Sequence, residues 1–173
     1  SCSGIDPMPL KIDIETVDAV IKARLKNNIS LCGLSATYNM IHPDPFFRAN
    51  GMKSLKCLIE IAVQIGAQIV TVCTGTRNPE NQWCGHPDNN SSGAWTDLLE
   101  EIEKAVVLAE QNDIYLGIEP ELANVIDTPA KARKLFSEIQ SDRLKIILDP
   151  ANLFEKETID SQRSLICEAI ETL

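Results

Sequence analysis

The stretch from residue 114 to 152 constrains the fold more than any other part of the chain. Residues 114–118, Ile-Tyr-Leu-Gly-Ile, are strand-like and end at Glu119. Thr128-Pro129 then opens a helical period through Ala132, Leu135, Phe136 and Ile139. A second apolar run, residues 144–148, ends at Asp149. Apolar runs without alternation mark strands covered on both faces, as in a parallel sheet packed by helices. A helical crossover is the usual link between parallel neighbours and points both strands the same way. Glu119 and Asp149 are therefore expected at one edge of the sheet, the carboxyl end, where α/β folds keep their chemistry. Two carboxylates so placed repel one another unless a cation lies between them or one holds a proton.

The remaining chain follows the same alternation. A helix is expected from Asp13 or Glu15, with Val17, Val20, Ile21 and Leu25 at helical spacing, up to Asn27-Asn28. Residues 29–34 read as a strand and residues 35–50 as a loop. Residues 51–65 read as a helix stopped by Gly66, which suits a left-handed cap. A strand over 68–73 leads into a long loop, 74–93, holding Arg77, Trp83, His86, Asp88 and Asn89. Loops of that length in compact domains are usually functional or disordered. Helices over 94–111 and about 158–172 complete the pattern α-β-α-β-α-β-α-β-α. Strict alternation without hairpin signals argues for a parallel sheet. Periodicity leaves barrel and open sheet both standing. Four strands are too few for a closed (β/α)8 barrel, which typically needs about 250 residues. The 173 residues are thus expected to be one partial barrel domain, with strands following Leu173 and one preceding Ser1.

Charge narrows the partners. The formal net charge is -9, from 16 basic and 25 acidic residues, and no basic stripe is present. That disfavours nucleic acid as a ligand. The six cysteines form no C-x-x-C pair and read as small buried hydrophobes of a reducing compartment. No leader pattern opens the sequence and no apolar run is long enough to span a membrane, so a soluble, cytoplasmic protein is expected.

The segments GLSATYNMIHPDP, TVCTGTRNPENQW, HPDN, LGIEPELANVID and IILDPANLF occur in this order. Together they resemble the sugar phosphate isomerase/epimerase family of xylose isomerase-like TIM barrels. Relatives of that family include ketohexose 3-epimerases and AP endonucleases of the endonuclease IV type. The resemblance implies a divalent metal held by Glu, Asp, His and Glu on successive later strands. The first Glu matches Glu119 and the Asp matches Asp149, while the other two ligands would lie beyond Leu173. The related epimerases often carry D-x-x-H, where this chain has Asp149-Pro150-Ala151-Asn152. Asn carries no proton near neutral pH but hydrogen-bonds hydroxyls.

The resemblance further implies an isomerase or epimerase acting by proton transfer next to a carbonyl, through an enediolate. Glu119 would be both metal ligand and acid/base group, and Asp149 a metal ligand. The implied cofactor is Mn2+, Mg2+ or Co2+, with Zn2+ also admitted. The implied ligand is a sugar or sugar phosphate, and a homo-oligomer is compatible. His42, Arg77, His86, Asn124 and Asn152 are candidate substrate contacts, Arg77 as a fork for a phosphate. Duller roles compete: Asp149 as a turn cap before Pro150, the two Asn as turn formers, and Arg77 as a surface charge. Glu121 reads as an exposed loop acid. Two other functions stay open, a metal-free barrel glycosidase and a non-catalytic binding module built on a partial barrel. The glycosidase would need a second carboxyl about 5 Å from the first for retaining chemistry.

Overall fold

Four of the five described helices start where a short polar side chain meets the backbone N–H groups their first turn leaves unpaired. In the computed structural model, which describes residues 9–173, Asp13 accepts from Thr16 N at 2.7 Å and opens α1 (Ile14–Lys26). Asp44 accepts from Phe46 N at 2.8 Å and opens α2 (Pro45–Ile65), with Pro45 in the first turn. Ser91 caps α3 (Ser92–Gln111) through Ala94 N, and Thr128 caps α4 (Pro129–Glu138) through Lys131 N. The last helix, α5 (Gln162–Thr172), follows a 3-10 turn, Lys156–Ser161. Gly66 ends α2 at φ 76°, the left-handed cap expected from sequence.

Between the helices lie β1 (Leu34–Ser35), β2 (Ile69–Cys73), β3 (Tyr115–Glu119) and β4 (Leu144–Ile146). They form one parallel sheet in the order β1-β2-β3-β4. Every step is a helical crossover, so the described residues make a partial (β/α) barrel. Val70 and Val72 of β2, Leu116 and Ile118 of β3 and Leu144 of β4 share one face by register and are buried. Leu55, Ile59 and Ala62 of α2 and Leu98, Ile102 and Ala105 of α3 complete that core. The opposite face carries Thr71, Cys73, Gly117, Glu119 and Lys145.

Several boundaries differ from the sequence reading. The strand expected over 29–34 shrinks to Leu34–Ser35. Its ladder holds only Leu34 against Val70 and Ser35 against Thr71, and Ile29 is exposed. An apolar run with one short partner has little to hold it in extended pairing. Helix α2 starts six residues earlier than residue 51, because Asp44-Pro45 is a complete start signal. Gly51 inside it is required by packing: a Cβ there would sit 2.0 Å from the Tyr38 ring. Within the long loop, Pro87–Asn90 forms a 3-10 turn. The cysteine expectation is also corrected. Cys73 is buried and Cys57 partly so, but Cys32, Cys84 and Cys167 are exposed; all five are free, and Cys2 lies outside the described residues. No described helix is long and apolar enough to cross a membrane.

Candidate functional site

Parallel register sets the site. Cys73, the last residue of β2, is the direct neighbour of Glu119, the last residue of β3. Both lie on the sheet face opposite the helix-packed core. The chain then turns at Pro120 and brings Glu121 back over the same edge. The Cys73 thiol donates to Glu121 Oε1 at 3.6 Å and accepts from Thr37 Oγ1 at 3.8 Å. Ligand atoms of Cys73, Glu119 and Glu121 all lie within 4.8 Å of one another. After β4, the 3-10 turn Pro150–Leu153 is capped by Asp149, whose Oδ1 accepts from Ala151 N at 2.9 Å. That turn carries Asn152, which donates to Glu119 Oε1 at 3.1 Å.

The electrostatics match this geometry. Burial and the charge of Asp149 push the Glu119 carboxyl above its ordinary value, and the Asn152 hydrogen bond partly offsets them. Burial and the charges of Glu119 and Asp149 push Glu121 up, and the Cys73 thiol opposes them. Burial and the neighbouring glutamates push Cys73 up to about 12, so its thiol keeps its proton at neutral pH. Glu119 and Glu121 thus share one edge with Asp149 and resist ionising there, the condition that a bound cation relieves. The donor set, mostly hard oxygen, fits a divalent cation.

The β2 and β3 loops are stapled to each other beneath these groups. Asn124 Oδ1 accepts from Gly75 N at 2.6 Å, Val125 N donates to Gly75 O, and Ile126 N donates to Thr74 Oγ1. Asn89 Nδ2 donates to Ala123 O, while its Oδ1 accepts from Thr76 Oγ1 and Arg77 N. Gly75 sits at φ 79° with a Cβ position only 2.3 Å from Asn39 Oδ1, so the staple needs glycine there.

The candidate residues separate into those at the edge and those in the loop framework. Glu119, Asp149 and Asn152 come together. Asn124 is buried within the staple. His42 is buried, with Nε2 3.1 Å from Pro79 O, Nδ1 accepting from Asp44 N and the ring stacked on Phe47. Arg77 pairs with Asp97 at 2.7 Å and donates to Ile41 O at 3.0 Å. His86 caps its own 3-10 turn through Asp88 N. Glu121 corrects the reading as an exposed acid: it is half-buried against Cys73 and Glu119. Sequence reasoning also passed over Cys73. Its strand-end position, the same as that of Glu119, was the available signal.

Fold and sequence agree with known proteins at the level of family. Residues 5–171 match the family described as Xylose isomerase-like TIM barrel. The chain belongs to that family. A search of curated proteins finds no significant match. Among solved structures, a D-tagatose 3-epimerase-like protein superposes with a TM-score of 0.72 at 16% identity, covering 92% of this chain and 58% of that one. The 3-keto-D-glucoside 4-epimerase of E. coli gives 0.70 at 18% identity, covering 93% and 64%. A xylose isomerase-like TIM barrel protein from Mycobacterium smegmatis, in complex with magnesium, gives 0.66 at 15% identity, covering 91% and 54%. The chain therefore spans less than two thirds of the length of these relatives.

Proposed function

We propose that the chain forms part of a divalent-metal-dependent sugar isomerase or epimerase that moves a proton next to a carbonyl. The observation that carries this reading is the convergence of Glu119, Asp149 and Asn152 at the carboxyl edge, with Glu119 and its neighbour Glu121 pushed up by burial and then by like charge. Glu119 and Asp149 would hold the cation, with other ligands from elsewhere in the complete barrel. The bound cation supplies positive charge that polarises the sugar's carbonyl and hydroxyl oxygens. Mn2+, Mg2+ and Co2+ suit the oxygen donors better than Zn2+.

Glu119 also removes the proton from the carbon beside the carbonyl. Asn152 fixes the carboxylate plane by donating to Oε1, which leaves Oε2 free of that bond. Asn152 also presents an amide to sugar hydroxyls. His42, Arg77 and Asn124 serve by holding the β1, β2 and β3 loops in place. The structural likeness to a D-tagatose 3-epimerase-like protein, a 3-keto-D-glucoside 4-epimerase and a xylose isomerase-like TIM barrel protein in complex with magnesium supports this reading.

The test is metal titration of the complete protein and its Glu119→Gln and Asp149→Asn variants. Each variant is expected to weaken Mn2+ binding by more than about 100-fold, beyond the loss of an outer hydrogen-bond partner. Unchanged Mn2+ affinity in both variants would remove the metal site and with it this function.

A further inference from the structure

The loops at the carboxyl edge hold few positive groups, and Arg77, His42 and Lys131 are already engaged, while His86 faces the carboxylate of Asp88 at 3.8 Å. His42 is the only cation-forming residue in the loop after β1, Arg77 and His86 the only ones after β2, and residues 120–128 after β3 contain none. His42 has both ring nitrogens against backbone atoms. The Arg77 fork, which suits a phosphate, is closed on Asp97 and the Ile41 carbonyl, and Arg48 shares the same carboxylate at 3.4 Å. Lys131, at the start of α4, bonds Asp127 and Asn90, each at 2.8 Å. Lys145 shares the face of Glu119 but lies over the Tyr115 ring, at the other end of β3. Lys156 is exposed between Glu155 and Glu157.

The edge itself carries Glu119, Glu121 and Asp149. The charges acting on the two glutamates are other carboxylates, with no cation among them. Two of the three carboxylates balance a divalent ion, and Glu121 leaves the edge negative. A phosphate ester brings about -1.5 to -2 further charges and is normally met by Arg, Lys or free N–H groups. A neutral hydroxyl, by contrast, donates well to a carboxylate.

We infer that the sugar is unphosphorylated at the end it presents to the β2 and β3 loops, and that Glu121 sets this preference by accepting from a hydroxyl and repelling phosphate. The inference rests on the sugar-binding function proposed above. It is tested by calorimetric binding of D-fructose, D-tagatose and their 1- and 6-phosphate esters to the Mn2+-loaded complete protein. At least one ester is expected to bind on the order of tenfold more weakly than its free sugar. Glu121→Gln is expected to recover that ester selectively.

The proposal is overturned if both esters bind as tightly as the free sugars, if Glu121→Gln in its folded form recovers neither, or if no sugar binds. The free-sugar to ester ratio of the unaltered protein decides the matter should the variant fail to fold. Mn2+ uptake, read on the same sample, separates the two claims. Intact uptake that Glu119→Gln abolishes, together with well-bound esters, sinks the phosphate preference alone.

Discussion

Among the described residues, Asn152 makes the only hydrogen bond that draws the Glu119 carboxyl down. Asn152→Ala therefore leaves Glu119 higher still, and metal uptake, which needs the carboxylate, should move its acid limb to higher pH. A pH series of Mn2+ titrations checks this; a limb that stays or moves down contradicts it. Stability carries a related signature. Glu119 and Glu121 bind protons more tightly in the folded metal-free protein than in the unfolded chain. Their stabilising contribution is complete below the ordinary glutamate value and is lost as pH rises through the raised folded values. Metal-free Glu121→Gln should then melt above the unaltered protein at neutral pH, with the gap closing as the solution is acidified. A gap that widens on acidification would show that Glu121 is stabilised as a carboxylate instead. Of these groups, Glu119 was readable as a strand-end acid, and Asp149 was read the same way although β4 ends at Ile146 and Asp149 caps the turn that follows. Glu121 was not, because nothing in its neighbours shows that Pro120 turns it back onto Cys73.

At the level of elements, helix α2 and the loop staple carry the next expectations. Alanine is the better helix former by roughly 1 kcal/mol, yet Gly51→Ala places a methyl against the Tyr38 ring. Overpacking of that kind costs about 1–3 kcal/mol, so the variant should melt lower, and a raised melting temperature would deny the contact. Asn124→Ala leaves the buried Gly75 N–H without its acceptor and should cost roughly 1–3 kcal/mol by denaturant titration. The start of α4 was legible in Thr128-Pro129, since capping is local chemistry; Asp44-Pro45 and Ser91 carry the same kind of signal, but reading α2 from residue 51 and α3 from residue 94 passed over it. The length of β1 was not, because a strand ends where its partner does, and that partner lies 36 positions away, Leu34 against Val70.

For the whole molecule, the parallel sheet stays open on the β1 and β4 sides among the described residues, while the relatives it resembles are longer. A polypeptide of these 173 residues alone is expected to show no epimerisation of free ketohexoses, because the metal set that the resemblance implies calls for a His and a second Glu beside Glu119 and Asp149. Turnover by that polypeptide would overturn the expectation. The alternation of apolar runs and capped helices was enough, by itself, to determine a parallel α/β sheet with Glu119 and Asp149 at one edge. Both follow from periodicity and from the direction a crossover imposes. Which side chains meet at that edge was decided by tertiary structure. Register makes Cys73 the neighbour of Glu119, and contacts with Asp97 and the Ile41 carbonyl engage Arg77. Those are contacts between residues distant in sequence, and no local pattern encodes them.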